Sequence, residues 1–160
     1  PGTTIPAGQY LVVANDADVA GLAEVQYGDE ALRNGVTVFL TLGTGVGSAV
    51  FNDGVLLPNT EFGHLEIRGR DAEERASSSA KERHGWSWAQ WAERLGELLD
   101  HLDRLLIPDR YVLGGGVSTN ADSFVPLLGR PGRVAAATLH NQAGIVGAAL
   151  MASQRSPRTD

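Results

Sequence analysis

The sequence predicts an α/β protein in which a mixed β-sheet opens with a β-meander and is covered by flanking helices. Two β-branched runs, at 36–42 and 48–51, flank a glycine-rich loop, and an Asn-Asp-Gly turn signal before "VLL" predicts a third strand. Further along the chain, short apolar strands alternate with helical patterns, which is typical of parallel strands joined by helices. A long amphipathic helix between them supplies an apolar surface that can cover the sheet.

The composition excludes several classes of protein. With 160 residues, 42% of them hydrophobic and 20% charged, the chain fits a single globular domain. It contains no cysteine, which excludes disulfides, thiolate metal sites and cysteine nucleophiles, and its net charge of -6 argues against nucleic-acid binding. We find no apolar run that could span a bilayer and no signal peptide, so we expect a cytoplasmic protein with no membrane contact.

The first predicted element is a strand at 10–14, which ends at Asn15-Asp16 and leads into a helix that Gly28 closes. Because this buried-looking strand follows Pro1 so soon, we expect further residues to precede Pro1 in the parent protein. Asn15 and Asp16 have two interpretations. They cap the helix, or they place an amide and a carboxylate at the carboxyl edge of the sheet, where Asp16 could take a proton from a substrate hydroxyl.

The loop between the first two strands, Gly43-Thr44-Gly45-Val46-Gly47, contains no lysine and returns into a strand, unlike a Walker-type phosphate loop. Closely spaced glycines let backbone N–H groups converge on an anion, and Thr44 can add a hydroxyl. A tight hairpin turn explains the same glycines equally well. The loop alone therefore does not decide between the two interpretations.

The segment 58–70 has no regular pattern and holds three polar residues within "TEFGHLE", namely Glu61, His64 and Glu66. Carboxylates and an imidazole grouped in this way suit a polyol, whose hydroxyl groups need hydrogen-bond acceptors at fixed places. A metal site is a poorer interpretation, because no cysteine or second nearby histidine completes a ligand set. Residues 71–84 predict one or two short helices interrupted at a run of serines. Over 68–83 the basic and acidic residues are interleaved, which favours a solvated face over a basic groove for an anionic ligand.

The strongest helical pattern covers 87–107, where eight apolar residues recur three, four and seven positions apart. Ser87 is a candidate N-cap, Pro108 a stop, and the tryptophans of this helix are assigned to the core. The remaining predicted elements are a strand at 110–113, a helix at 118–128, a strand at 133–138 and a helix at 143–153.

Three consecutive glycines, Gly114, Gly115 and Gly116, lie between the strand at 110–113 and the helix at 118–128. They form a second place where the backbone can approach a ligand closely, here at a helix N-terminus. Close helix packing explains one of the glycines, though hardly all three.

Taken in order, "NDAD", "LGTGVG", "EFGH", "GGGVS" and "HNQAGIVGAAL" resemble the motifs of the ROK family of sugar kinases and repressors. The resemblance extends from Leu11 to Leu150, and five motifs in one order are far more specific than any one of them. It implies a lobe of the actin and hexokinase type, which is a ribonuclease H-like fold. Because no cysteine follows "EFGH", the chain lacks the zinc site of many ROK proteins and most resembles the zinc-free polyphosphate glucokinases.

The resemblance implies a role for each candidate residue. Asp16 matches the general base that takes the proton from the sugar 6-hydroxyl, and Asn15 matches a sugar-binding amide. Glu61 and His64 match ligands of the sugar hydroxyls, with Glu66 as a third candidate. The phosphate-binding backbone is matched at Gly43, Thr44, Gly45, Gly47, Gly114, Gly115 and Gly116.

The implied activity is that of a glucokinase, which transfers a phosphoryl group from polyphosphate or ATP to glucose. The resemblance implies Mg²⁺ bound with the phosphoryl donor, no structural zinc and no metal ligand among the protein's own residues, and we also expect a homodimer. In this superfamily, hairpin loops from two lobes hold the phosphates with backbone amides, which explains the absence of a lysine. Phosphoryl transfer then requires mainly positioning and charge stabilisation from the protein.

One family motif has no match in this sequence. The first phosphate loop, D-x-G-G-[ST]-x-x-[KR], belongs to an N-terminal lobe, so we expect this chain alone to be weakly active or inactive. We expect 1–28 to be a strand and helix from the region between the lobes, 29–153 to be the C-terminal lobe, and 154–160 to be a frayed tail. Two alternatives stay open, the lobe of a sugar-sensing repressor, although no helix-turn-helix is visible, and an inactive structural fragment.

Overall fold

The computed structural model describes residues 14–139 and 142–155. The strands in these residues are β1 (Val36–Leu42), β2 (Val46–Asn52), β3 (Val55–Leu57), β4 (Glu66–Ile67), β5 (Arg70–Asp71), β6 (Arg110–Gly114) and β7 (Val134–Ala136). The helices are α1 (Asp16–Tyr27), α2 (Glu73–Ala76), α3 (Ser78–His84), α4 (Trp88–Leu106), α5 (Ala121–Phe124) and α6 (Ala143–Arg155). None of these helices is long and apolar enough to cross a membrane. The predicted strand at 10–14 and tail at 154–160 fall largely outside the described residues.

β1 lies at the centre of a five-stranded sheet with the order β3-β2-β1-β6-β7. β2 pairs antiparallel with both β1 and β3, which is the predicted meander, and Leu42 faces Val46 across the first turn. β6 pairs parallel with β1 on one side and with β7 on the other. The predicted mixed sheet is therefore confirmed.

Helices cover both faces of this sheet. β1 sends alternate side chains to opposite faces, so Leu40 and Leu42 join the apolar cluster under α4, whereas Phe39 joins a second cluster with α1. α6 packs on α1 so closely that a Cβ at Gly147 would overlap the carbonyl oxygen of Val19. The sheet is thus the middle of three layers, and its strand ends stay open for a site.

α4 is the predicted long helix, and it supplies the core of one layer. The Ser87 hydroxyl accepts from the Gln90 N–H while the Gln90 side chain accepts from the Ser87 N–H, so the helix begins with a complete capping box. Trp91 is fully buried, and its Nε1–H donates to the carbonyl oxygens of Ala76 and Ser77. Burying a large apolar side chain of this kind stabilises the fold by roughly 1.5–3 kcal/mol. The helix and the core position of Trp91 are both confirmed.

The prediction of one helix at 118–128 is wrong. The chain instead forms a 3₁₀ turn at Gly116–Asn120, then α5, then a second 3₁₀ turn at Val125–Leu128. Pro126 explains the break, because proline has no N–H to donate and restricts the residue before it. The three glycines therefore lead into a 3₁₀ turn, not into the N-terminus of an α-helix.

The region between β3 and α4 contains more structure than its sequence predicts. Part of the segment 58–70 forms a 3₁₀ turn at Phe62–His64, and β4 pairs with β5 as a small separate hairpin. The predicted short helices at 71–84 are confirmed as α2 and α3. They are separated at Ser77, whose hydroxyl accepts from the Ala80 N–H and begins α3.

Candidate active site

A cavity of about 560 Å³ lies at the carboxyl ends of β1 and β6. These two strands are parallel, so their carboxyl ends meet at one edge of the sheet, where α/β proteins place their ligands. The N-terminus of α1, the turn between β1 and β2 and the start of α6 complete the walls. The predicted site residues that line this cavity are Asn15, Asp16, Gly43, Thr44, Gly45, Gly47, Glu61, Gly114 and Gly115.

Asn15 caps α1, as predicted, and also lines the cavity. Its Oδ1 accepts from the Ala17 N–H at 2.9 Å, and its Nδ2 donates to Glu61 Oε1 at 3.0 Å, so both ends of the amide are fixed. Asp16 follows at the first helical position with an exposed side chain at the cavity wall. Within the described part of the chain its carboxylate accepts no hydrogen bond, and it is therefore available to a ligand.

The turn between β1 and β2 is closed by its own backbone and by α3. The Gly43 N–H donates to the Gly45 carbonyl at 3.0 Å, and the Gly43 carbonyl accepts from the Ser78 hydroxyl and the Ser79 N–H. A Cβ at Gly45 would displace the Glu73 carboxylate from its place at the turn. The turn presents mostly backbone to the cavity, as a phosphate-binding loop must.

The segment that carries Glu61 is held on β2 by Ser48. The Ser48 hydroxyl donates to the Thr60 carbonyl at 2.8 Å and accepts from the Phe62 N–H at 3.0 Å, while the Thr60 hydroxyl donates to the Ser48 carbonyl at 2.9 Å. Ser48 is fully buried, so losing one of these bonds would leave a buried polar group unpaired. This network places Glu61 at the cavity beside Asn15.

His64 and Glu66 do not line the cavity. Both are exposed, and His64 Nδ1 lies 3.0 Å from Asp71 Oδ2. That hydrogen bond raises the pKa of His64, and the Glu73 carboxylate nearby raises it further. Possible ligand atoms of His64, Asp71 and Glu73 lie within 4.8 Å of one another, which is close enough to share a metal ion.

Glu73 is a cavity residue that the sequence analysis missed. It begins α2, its Oε2 accepts from the Val46 N–H at 3.3 Å, and it lines the cavity with Asp16 and Glu61. The next residue, Glu74, is exposed and faces away into an ion pair. Because a run of mixed charges usually forms a solvated surface, nothing in the local pattern distinguishes these two neighbours.

Gly114 and Gly115 are required by the close approach of β6 to β1. Gly115 has a φ of +86°, and a Cβ there would lie 2.6 Å from the carbonyl oxygen of Leu42. A Cβ at Gly114 would lie 2.8 Å from the Phe39 ring. These two glycines thus have a packing reason, whereas Gly116 has open space around it.

A second hollow, of about 430 Å³, adjoins the cavity. The two share Gly43 and Thr44, and Gly116 lines only the hollow. Lys81, the one lysine of the sequence, also lines it, with its ammonium 4.0 Å from the centre of the Trp88 ring. The predicted glycine backbone therefore runs continuously from the cavity into this hollow.

The cavity is acidic. Its lining includes three carboxylates, Asp16, Glu61 and Glu73, and none of its described lining residues is a lysine, arginine or histidine. The nearby Arg68 and Arg75 bind Glu97 on α4 instead. Burial alone would raise the pKa of Glu97, but the hydrogen bonds from these arginines outweigh it and lower the pKa. An anionic ligand would consequently need a cation of its own in this cavity.

Sequence comparison relates the chain to polyphosphate glucokinases. No family model matches it. A polyphosphate glucokinase from Mycobacterium tuberculosis is 50% identical over 143 residues, which are 89% of this chain and 54% of that protein. The chain therefore spans about half the length of the curated relatives that it matches.

Solved structures show the same relationship. The inorganic polyphosphate/ATP-glucomannokinase from Arthrobacter sp. strain KM matches with a TM-score of 0.86 and 46% identity, over 90% of this chain and 57% of that one. A ROK family glucokinase from Streptomyces griseus, solved with glucose and AMPPNP, matches in fold with a TM-score of 0.78 and 23% identity, over 92% of this chain and 70% of that one. The predicted actin and hexokinase-like fold is confirmed. Over 89% of its own length the chain is thus similar in sequence to the polyphosphate glucokinases, and its fold is that of the ROK family sugar kinases, as the order of its motifs predicts.

Proposed function

We propose that the chain forms the sugar-binding and catalytic wall of a glucokinase, which transfers a phosphoryl group from polyphosphate or ATP to the 6-hydroxyl of glucose. The observation that carries this proposal is the placement of Asp16, whose carboxylate lies in the cavity beside the hydrogen-bonded pair of Asn15 and Glu61. The similarity to a polyphosphate glucokinase and to a polyphosphate/ATP-glucomannokinase supports the same reaction.

The cavity residues divide between the reacting hydroxyl and the rest of the sugar. Asp16 accepts the proton of the 6-hydroxyl as its oxygen attacks the terminal phosphorus atom. Asn15 and Glu61 bind neighbouring hydroxyls, and their mutual hydrogen bond fixes both groups before the sugar arrives. Glu73 adds an acceptor on the same wall, while His64 and Glu66 remain secondary candidates because they lie outside it.

The phosphoryl donor lies along the glycine backbone in this proposal. Gly43, Thr44, Gly45 and Gly47 line the cavity together with Gly114 and Gly115, and Gly116 continues the surface into the adjoining hollow. Backbone N–H groups in such turns bind phosphate oxygens without a basic side chain. An extended donor, whether polyphosphate or the phosphates of ATP, would follow this path.

Mg²⁺ fits the charge of the cavity. Three carboxylates and no basic side chain among the described lining residues would repel a polyanionic donor, so the donor must bring a cation. Mg²⁺ prefers oxygen ligands and usually keeps several waters and substrate phosphates in its coordination shell. Thr44 lines both the cavity and the adjoining hollow, so its hydroxyl would face the donor and its ion. When bound, the ion neutralises charge on the transferring phosphoryl group.

We extend the proposal to the whole protein. Residues 1–28 would lie between two lobes, 29–153 would form the C-terminal lobe, and another lobe would supply the first phosphate loop. The match to about half of a longer relative supports this arrangement. We further propose that the enzyme works in the cytoplasm as a homodimer and binds neither nucleic acid nor membrane.

The decisive experiment compares glucose 6-phosphate formation by the chain, by Asp16→Asn and by Asp122→Asn, with glucose, Mg²⁺ and either polyphosphate or ATP. Asp122 is a matched control because it is also an exposed aspartate in the first turn of a helix, but it does not line the cavity. General-base catalysis contributes about 10²–10⁴-fold, so Asp16→Asn should lower the rate by at least roughly 100-fold while Asp122→Asn leaves it unchanged.

Three outcomes would contradict the proposal. An unchanged rate in Asp16→Asn would remove Asp16 from the chemistry. Glucose binding without transfer from either phosphoryl donor, by this chain and also by a longer protein that carries the first phosphate loop, would favour the sugar-sensing alternative. Neither binding nor transfer would favour a structural lobe without activity.

A further inference from the structure

The carboxyl group of Asp18 is buried next to the cavity without a compensating charge. It lies on α1 two residues after Asp16 and is 2% exposed. Its Oδ2 accepts from the Asn59 N–H at 3.1 Å, but among the described residues its buried Oδ1 has no hydrogen-bond partner and no basic side chain forms an ion pair with it. Burying an ionised carboxylate in this way is costly, so the group needs an explanation.

Asp18 joins the catalytic helix to the segment that carries Glu61. Asn59 has a φ of +62°, a left-handed conformation that asparagine tolerates better than most residues, and Asp18 holds the N–H of this turn. Three residues earlier on the same helix, Asn15 donates to Glu61. Helix α1 therefore binds the segment on both sides of Thr60, at two points on one helical face.

The surroundings of Asp18 raise its pKa. Burial raises the pKa of Asp18 more than the Asn59 N–H lowers it, and the carboxylates of Glu61 and Asp16 raise it further. Glu61 and Asp18 carry like charges when both are ionised, and like charges repel. The hydrogen bond from the Asn59 N–H to Asp18 opposes this repulsion and holds the segment against the helix.

Glu24, the other buried carboxylate of α1, is held in the opposite way. It is 1% exposed and accepts three hydrogen bonds, from the Thr138 N–H at 3.0 Å, the Thr138 hydroxyl at 2.9 Å and the Leu139 N–H at 2.6 Å. These donors satisfy both carboxyl oxygens of Glu24. Both carboxyl groups are buried on α1, yet Glu24 has three hydrogen-bond donors and Asp18 has one. Burial on this helix therefore does not explain why Asp18 has so few.

We propose that Asp18 is a positioning residue that fastens the Glu61-bearing segment to the helix that carries Asp16. The proposal rests on the proposed function and deepens it. It explains how Asp16 and Glu61, two carboxylates with no described basic residue between them, keep a fixed relative position in the cavity. Asp18 itself does not contact the sugar in this scheme. Its effect on glucose passes through Asn59 and Glu61.

The test compares Asp18→Asn, Asp18→Ala and Glu24→Gln with the unmodified chain. Asparagine keeps a neutral acceptor for the Asn59 N–H, whereas alanine removes it. Losing one such bond is expected to raise the KM for glucose about tenfold in Asp18→Ala while the KM for the phosphoryl donor stays within about threefold, and Asp18→Asn should stay within about threefold for both. Glu24→Gln, the matched control, should lower Tm without this split between the two KM values.

Hydrogen exchange measures the same positioning without enzyme activity. The amide of Asn59 should exchange at least about tenfold faster in Asp18→Ala, and within about threefold of the unmodified rate in Asp18→Asn and in Glu24→Gln. If a longer protein that carries the first phosphate loop also transfers no phosphoryl group, the proposed function fails, yet this exchange pattern still decides the role of Asp18. The two failures are therefore distinguishable.

Several results would overturn the proposal. If Asp18→Ala leaves both the glucose KM and the Asn59 exchange unchanged, Asp18 positions nothing. If it raises both KM values alike, its role is general stability. If Asp18→Asn is as impaired as Asp18→Ala, the hydrogen bond to the Asn59 N–H is not what positions the segment. Should Asp18→Ala fail to fold, Asp18→Asn still decides, because a role that consists of accepting the Asn59 N–H predicts unmodified glucose affinity in that variant.

Discussion

The two ends of β6 hold their carboxylates in opposite ways. At the amino end, Asp103 on α4 accepts hydrogen bonds from Arg130, Arg133 and the Tyr111 hydroxyl. At the carboxyl end, three carboxylates line the cavity, and none of the described residues lining it is basic. The same strand thus separates an acidic group bound by two arginines from three carboxylates that form no ion pair with a described residue.

The difference shows what each end contributes. Burial alone would raise the pKa of Asp103, but hydrogen bonds from Arg133, Tyr111 and Arg130 outweigh it and lower the pKa. Burial and the Asp103 hydrogen bond in turn raise the pKa of Tyr111. Charges that are satisfied internally stabilise the fold, whereas carboxylates left without cations are available to hydroxyl groups and a metal ion. We infer that the amino end serves stability and the carboxyl end serves binding.

The largest expected effect is on glucose affinity, which should depend on the carboxyl end of β6 and not on its amino end. Glu61→Ala removes a charged acceptor from the proposed sugar site, so the KM for glucose should rise by roughly 10–100-fold, equivalent to about 1.4–2.8 kcal/mol. The free energy of unfolding should change by less than about 0.5 kcal/mol, because the side chain is exposed. Steady-state kinetics and urea denaturation measure the two quantities. A large loss of stability with an unchanged KM would reverse the comparison.

Asp103→Ala should have the opposite profile. It leaves two arginines and a tyrosine hydroxyl without their shared acceptor, and we expect a loss of roughly 1–3 kcal/mol in the free energy of unfolding. The lower part of the range is expected because the Asp103 side chain is still 26% exposed. Urea denaturation checks the loss, and the glucose KM of the folded variant should match that of the unmodified chain. A shifted KM would mean that the amino end also serves the site.

A smaller effect should appear in the pH dependence of stability. Because the pKa of Asp103 is lowered by folding, the unfolded chain takes up its proton first, near the ordinary value of about 3.9. The stabilisation from Asp103 is present above that pH and is lost as the pH falls through the folded-state pKa. Asp103→Asn should therefore lose less stability than the unmodified chain between about pH 5 and about pH 3, as measured by urea midpoints. Equal slopes would show that the network contributes no pH-dependent stability.

Local patterns were sufficient to predict most of the fold. The Asn-Asp-Gly turn and the β-branched runs predict the meander, and the spacing of leucines and tryptophans predicts α4, because both signals arise within one element. The helix at 118–128 was wrong because Pro126 overrides an apolar spacing that otherwise looks helical. Apolar spacing therefore predicted helix or strand correctly in these elements, except where a residue such as Pro126 opposed the pattern.

The sequence predicted only part of the site, because tertiary contacts decide which side chains line the cavity. His64 lies three positions after Glu61, yet it contacts Asp71 across the β4–β5 hairpin and leaves the cavity. Glu73 enters the cavity from a segment that resembles a solvated face, while its neighbour Glu74 stays outside. The motif order indicates which segments meet at the strand ends, but not which side chain of each segment points inward.

The smallest expected effect concerns the start of α4, where neutral hydrogen bonds, not ion pairs, hold the helix. α4 begins near the adjoining hollow, which Trp88 lines, and its start is held by the reciprocal hydrogen bonds of Ser87 and Gln90. Ser87→Ala should cost about 1 kcal/mol of unfolding free energy. Because neutral hydrogen bonds are not screened by salt, this cost should be the same at low salt and at about 1 M NaCl, whereas the cost of Asp103→Ala should shrink. Urea denaturation at the two salt concentrations measures both costs, and a salt-dependent loss in Ser87→Ala would show that charge, not capping, holds this end of the helix.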